Sequence, residues 1–131
     1  MASRFAQPER DVVVLYGDGS FGLTGFDFET MVRNKLAYVG VVGNNSSWNQ
    51  IRYGQAAKYG KERGDVGNVL EDVRFDKLAQ AWGGHGERVT KPEDIRPALE
   101  RARDSGKPAL VDVVIDREIY SGGTMNQTMY K

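Results

Sequence analysis

The sequence predicts an α/β fold in which a parallel sheet is flanked by helices. Three observations predict it. The apolar runs at 11–16 (DVVVLY), 36–43 and 109–115 (ALVDVVI) show no clean apolar/polar alternation, the pattern of strands buried on both faces. Segments with apolar residues at helical spacing lie between these runs. The first strand, a glycine-rich loop, a helix and the second strand fit within about 35 residues, the length of a βαβ unit.

In chain order, residues 2–10 (ASRFAQPER) read as the end of a helix and a turn, and 11–16 as a strand. Gly17-Asp18-Gly19-Ser20-Phe21-Gly22 reads as a glycine-rich loop. Thr24 and Asp27 have capping-box spacing, and Phe28, Met31, Val32 and Leu36 follow at helical spacing. The strand at 36–43 ends in Asn44-Asn45. A helix is expected over 48–59 despite Gly54, and a polar, glycine-rich loop over 60–72. A short helix follows over 74–82, with Phe75, Leu78 and Ala81 or Trp82 on one side, stopped by Gly83-Gly84. Residues 87–89 suit a brief strand. Thr90-Lys-Pro-Glu93 supplies a cap, a first-turn proline and an acid, starting a helix that runs to Asp104 with Ile95, Leu99 and Ala102 inward. The strand at 109–115 follows, and 121–131 reads as a flexible or lid-like tail. The expected division is therefore an α/β domain over 1–120 and a tail over 121–131.

Composition narrows the function. The 131 residues, 40% hydrophobic and 27% charged, have room for one domain. Eighteen basic side chains balance 18 acidic ones, which weighs against a nucleic-acid footprint and a polybasic membrane anchor. With no Cys and one His, disulfides, thiolate metal sites, cysteine nucleophiles and multi-His metal sites are excluded. The longest apolar run, 36–43, is far short of the ~20 residues that span a bilayer. Met-Ala-Ser-Arg-Phe carries no apolar leader, so a soluble, cytoplasmic protein is expected, with neither nucleic acid nor membrane as partner.

The glycine loop carries the chemistry. Residues 17–22 fit GxGxxG after a strand, a pattern whose usual ligand is a dinucleotide pyrophosphate at a helix N-terminus. Two details oppose that. The acid expected about 20 residues on, at the end of the next strand, is replaced by Asn44 and Asn45. Asp18 also places a carboxylate beside the phosphates, which is repulsive unless a divalent cation lies between them. In a parallel βαβ unit both strand ends emerge at one sheet edge, and neighbouring strands lie ~4.8 Å apart. Asp18 and Asn45 then offer two hard oxygens to one point, a donor set that suits Mg2+ with phosphate and water completing its octahedron. Gly19 and Ser20 offer backbone N–H groups, and Ser20 a hydroxyl, to the phosphate.

Gly17-Asp18-Gly19-Ser20, 24 intervening residues and Asn44-Asn45 resemble the diphosphate-binding motif of thiamine-diphosphate enzymes. The closer likeness is to the branch of acetolactate synthase, benzaldehyde lyase, oxalyl-CoA decarboxylase and 2-hydroxyacyl-CoA lyase. Phe28-Glu29-Thr30-Met31-Val32-Arg33, Asn45-Ser46-Ser47-Trp48, Gly84-His85-Gly86-Glu87 and 105–111 (SGKPALV) share that likeness. The resemblance implies thiamine diphosphate and Mg2+ as cofactors. It implies Asp18 and Asn45 as side-chain metal ligands, Ser47 as a ligand through its carbonyl, Gly17, Gly19 and Ser20 on the diphosphate, and Trp48 near the cofactor. It implies C–C bond cleavage or formation by a lyase, carboligase or decarboxylase. A 2-hydroxyacyl-CoA lyase is the first expectation and an acetolactate-synthase-like carboligase the second. A non-catalytic docking module or inactive fragment is the alternative from another class.

The resemblance also implies a catalytic glutamate on a pyrimidine-binding domain, and this chain has no counterpart of it. The expected partner is a larger chain supplying that domain, in a hetero- or homo-oligomer. The chain is expected to be either a small subunit or fragment that works with that partner, or a truncated product, and in either case inactive alone. Ser121, Thr124, Asn126 and Gln127 are candidates to bond a CoA-thioester substrate. His85 is expected to be structural or at the surface, away from the strand ends, and Trp82 in the core or an interface. Arg74, Asp76, Lys77 and the charges over 96–103 are expected on solvated helix faces.

Overall fold

The computed structural model describes residues 1–119; the tail reading at 121–131 lies outside them. A short helix α1 (Ala2–Ala6) precedes strand β1 (Val13–Gly17). Helices α2 (Asp18–Thr24) and α3 (Asp27–Arg33) lead to β2 (Val39–Asn44). Helices α4 (Asn49–Tyr59), α5 (Lys61–Asp65) and α6 (Phe75–Ala81) precede β3 (His85–Val89). A 3-10 turn (Pro92–Asp94) opens α7 (Ile95–Asp104), which returns to β4 (Ala109–Val114). The four strands form one all-parallel sheet in the order β1-β2-β4-β3, the α/β architecture expected.

The crossovers explain the layers. The chain steps from β1 to β2 through α2 and α3 and from β2 towards β3 through α6. These helices bury Phe21, Phe28, Met31, Phe75 and Ala79 with Val42 and Leu110 on one face. From β3 to β4 the chain steps back, so a crossover of the same hand lies on the other face. There α7 packs Ala98 and Ala102 against Val39, Val89, Ala109 and Val111. No described helix covers that face over β1: Leu15 is 79% exposed and Val13 56%. A groove of about 770 Å³ runs beside α7, lined by Val13, Val39, Ile95 and Leu99 among others.

Four local expectations change. Residues 17–22 are not a loop: the chain enters α2 directly, with Gly17 extended as its cap. Phe21 drives this, its ring held edge-on by Tyr16 (5.4 Å) and Phe75 (5.3 Å). Thr24 does not cap α3. It ends α2, and Gly25 and Phe26 keep helical backbone, so Phe28 and Glu29 N–H groups bond the carbonyls of Gly25 and Phe26 (3.0 and 3.1 Å) and no side-chain cap is needed. Thr90 likewise makes no cap, because the 3-10 turn at Pro92 starts from Lys91 and proline leaves one N–H fewer to satisfy. The polar stretch 60–72 contains α5, set off from α4 by Gly60 at φ +89°.

Asp76 is also not on a solvated face. It is 3% exposed in the first turn of α6, and Arg74 donates to both its oxygens (2.8 and 2.7 Å). That guanidinium holds the Asp76 carboxyl below the usual carboxylate range, and Arg101 does the same to Glu87. A folded-state value below the unfolded one stabilises the native state above the unfolded pKa and is lost as pH falls through the folded one. Stability, followed by circular dichroism, is therefore expected to hold down to about pH 5 and to fall below about pH 4. Asp76→Asn is expected to shrink that fall; an unchanged acid limb would contradict the assignment.

Candidate functional site

The site forms where β1 and β2 end together. Their register pairs Gly17 with Gly43, so α2 and the loop after β2 start side by side. Asp18 is 5% exposed. Its Oδ1 accepts the Gly19 N–H (2.7 Å) and its Oδ2 the Ser47 N–H (3.0 Å), so one carboxylate ties the two strand ends together. Ser47 is buried, and its hydroxyl donates to the Asn68 carbonyl (2.9 Å). Ser47 also faces Val69 in an isolated antiparallel bridge. The bonds around that bridge run through the flanking residues, from Leu70 N–H to Ser46 O and from Trp48 N–H to Asn68 O, and the Ser47 carbonyl is not used in holding it.

Between these residues the backbone turns sharply. Ser46 lies at φ +52°, in the left-handed region that non-glycine residues rarely enter. Asn44 Oδ1 accepts its N–H (3.1 Å). Asn45 carries the feature that points to a ligand: its Oδ1 is buried and has no hydrogen-bond partner among the described residues. Buried side-chain oxygens are nearly always bonded. The Asn45 carbonyl accepts Arg117 Nε (3.1 Å), and Asn49 Nδ2 donates to the Arg117 carbonyl (2.7 Å), pinning the chain beyond β4 against α4. Arg52, buried on α4, donates to Asp65 (2.6 Å) and Glu118 (2.9 Å); its guanidinium holds the Asp65 carboxyl below the usual range.

All seven residues expected to hold the cation and the diphosphate cofactor, Gly17, Asp18, Gly19, Ser20, Asn45, Ser47 and Trp48, line one cleft of about 470 Å³. Asp18 is the single charged side chain among the described residues of that lining. The Trp48 indole lies over Gly19, where an added Cβ would stand 3.0 Å from the ring, so any larger residue would push the indole back by a few tenths of an ångström. One expectation changes in detail. The Gly19 N–H is bonded to Asp18, whereas that of exposed Ser20 in the same first turn is not. His85 opens β3, paired with Ala109, at the sheet edge opposite the cleft. Trp82 packs on Phe26 and Phe28 (5.4 and 5.9 Å) in the α3–α6 layer. Asp112 and the role of Asn44 escaped the sequence reading; the visible signal was an acid inside the apolar run ALVDVVI.

The donor set fits a hard divalent cation. It contains only oxygens: the unbonded Asn45 Oδ1, a carboxylate with lone pairs to spare, and a backbone carbonyl. No group of three His, Cys, Asp or Glu among the described residues could hold a metal. An ion in the cleft would complete its shell from phosphate and water, the habit of Mg2+.

The profile of the thiamine pyrophosphate enzyme C-terminal TPP binding domain matches residues 1–113. The chain belongs to this family. In thiamine pyrophosphate enzymes this domain binds thiamine diphosphate, with Mg2+ as its usual partner ion. This family member is 43% identical over 119 residues to a probable acetolactate synthase of Mycobacterium bovis, covering 91% of this chain and 21% of that protein. It is 34% identical over 119 residues to a 2-hydroxyacyl-CoA lyase of Arabidopsis thaliana (88% of this chain, 21% of that protein). To 2-hydroxyacyl-CoA lyase 2 of Caenorhabditis elegans it is 29% identical over 132 residues (96% and 20%). The chain thus spans about a fifth of the length of these curated relatives. No described helix is long and apolar enough to cross a membrane.

Proposed function

We propose that the chain is the part of a C–C bond lyase or carboligase that holds Mg2+ and the diphosphate of thiamine diphosphate. The observation that carries this reading is the unbonded Asn45 Oδ1 in the cleft that Asp18 lines. Asp18, Asn45 and the Ser47 carbonyl would hold the cation, and Ser20 the diphosphate, with Gly17 and Gly19 giving the backbone close approach and Trp48 walling the cleft. Thiamine diphosphate, when bound, supplies the electron sink for breaking or making the C–C bond. In this chain, Asp18 offsets the cation's charge and Trp48 over Gly19 keeps water from one side of the cleft.

An acetolactate-synthase-like carboligase is the finer reading favoured by identity (43% against 34% and 29%), ahead of the 2-hydroxyacyl-CoA lyase first expected, which would take a CoA thioester. The pyrimidine-binding domain and its glutamate would come from a larger chain. The open sheet face at Val13 and Leu15 and the groove beside α7 are apolar surface of the kind that marks such an interface. The same face supports a docking role as the second reading. Titration calorimetry with thiamine diphosphate separates the two, run with Mg2+ or with a chelator. Mg2+-dependent heat supports the cofactor site; no heat in either condition, with or without a partner chain, favours docking alone. Turnover by the 131-residue chain on its own would contradict the need for a partner.

A further inference from the structure

We propose that Asp112 is a positioning residue for the cation site, acting through Asn44; this rests on the reading of the cleft as a Mg2+–diphosphate centre. Asp112 is 0% exposed in β4, a central strand of the sheet, and it does not line the cleft. It sits opposite Val42, two residues before Asn44 on β2, so Asn44 and Asp112 share a sheet face. An apolar residue there would avoid the cost of burying a charge. The hydrogen bonds show what the carboxylate does instead.

Asn44 Nδ2 donates to Asp112 Oδ1 (2.9 Å) and to the Val73 carbonyl (3.0 Å). A carboxylate and a carbonyl only accept, so this end of the amide must be the NH2. Asn44 Oδ1 is thereby forced towards Ser46, whose N–H it accepts (3.1 Å). Turned over, the amide would set donor against donor at Ser46 and acceptor against acceptor at Asp112. Arg88 fixes Asp112 in turn, donating to its Oδ2 (3.3 Å) while gripping Asp72 (2.7 and 2.9 Å). Ser46, in its left-handed conformation, stands between Asn45 and Ser47, two of the three proposed cation donors. One buried acid therefore fixes one amide, and that amide fixes the turn that aims both donors.

The test uses the full chain, with Mn2+ and thiamine diphosphate as probes and Mn2+ affinity read by electron paramagnetic resonance. Asp112→Leu is expected to weaken Mn2+ binding by about 10–100-fold, the usual effect of losing a group that orients a metal ligand. Asp112→Asn should fall between, because its amide can accept from Asn44 but can also turn over. Ala102→Gly, a destabilising change on the opposite sheet face, should lower the melting temperature and leave Mn2+ affinity alone. Wild-type affinity in Asp112→Leu, or an equal loss in Ala102→Gly, would overturn the proposal. If Asp112→Leu does not fold, Asp112→Asn is compared in the wild-type and Asn44→Ala backgrounds. A loss confined to the wild-type background is expected, and equal losses in both would overturn it. Amide exchange of Ser46 and Ser47 without ligand gives an independent arm. Faster exchange in the Asp112 variant that folds is expected, and unchanged exchange would overturn the relay. Failure of the wild-type chain to bind Mn2+ with thiamine diphosphate, both alone and with a partner chain, would instead count against the cofactor reading.

Discussion

Asp18→Ala is expected to abolish Mg2+-dependent binding of thiamine diphosphate while leaving the sheet folded. Among the described residues Asp18 is the single charged side chain lining the cleft, so its loss removes the anion there that offsets the cation. One unit-charge pair at 4 Å is worth about 4 kcal/mol near a protein surface, roughly a thousandfold in affinity. The same substitution strands the Ser47 N–H that Asp18 Oδ2 accepts at 3.0 Å, and an orphaned buried donor costs about 1–3 kcal/mol. The loop carrying Asn45 and Ser47 is therefore loosened as the charge is lost. Calorimetry with and without Mg2+ measures the first effect and thermal unfolding the second. Retained Mg2+-dependent affinity would refute the site assignment. Asp18→Asn, which keeps an oxygen for the Ser47 N–H but sets its NH2 against the Gly19 N–H, is expected to lose affinity with some loss of stability.

Gly86→Ala is expected to be the most damaging small substitution for stability. At Gly86 the backbone of β3 runs under the first turn of α6, and an added Cβ would lie 1.9 Å from the Asp76 carbonyl oxygen and 2.7 Å from its carbon. Those atoms are backbone, so no rotamer change relieves the clash. The strand must withdraw from α6, straining the Gln80 side-chain bond to the Gly86 carbonyl (2.7 Å) and the bond of half-exposed Arg74 to buried Asp76. Overpacking typically costs about 1–3 kcal/mol, and a clash with backbone belongs at the top of that range. Urea denaturation measures it, and a loss below about 1 kcal/mol would mean that α6 and β3 lie farther apart than described.

The sequence made the βαβ unit legible because its signals are local. Strand runs buried on both faces lack alternation, and Asp18 and Asn45 stand right where two such runs end. That spacing by itself puts the candidate donors at one sheet edge; Ser47, Gly17 and Trp48 needed the family resemblance. What stayed hidden depends on packing between distant segments. Glycines at 17, 19 and 22 argue for a loop by propensity, but the edge-to-face contacts of Phe21 with Tyr16 and Phe75 make the segment helical. Asp76 looks like a surface acid until the close approach of Gly86 buries its turn. Asp112 finds its partners only because β4 inserts between β2 and β3, an order that sequence spacing does not dictate. The orphaned oxygen of Asn45 is likewise a property of the assembled turn.

A crystal structure of the chain grown with thiamine diphosphate and Mn2+ tests the central claim most directly, because Mn2+ is located by its anomalous scattering. The account expects one Mn2+ bonded to Asp18, Asn45 Oδ1 and the Ser47 carbonyl, with the diphosphate on the same ion beside Ser20. An ion or diphosphate bound elsewhere, or an Asn45 amide oxygen turned away to a protein donor, would contradict it.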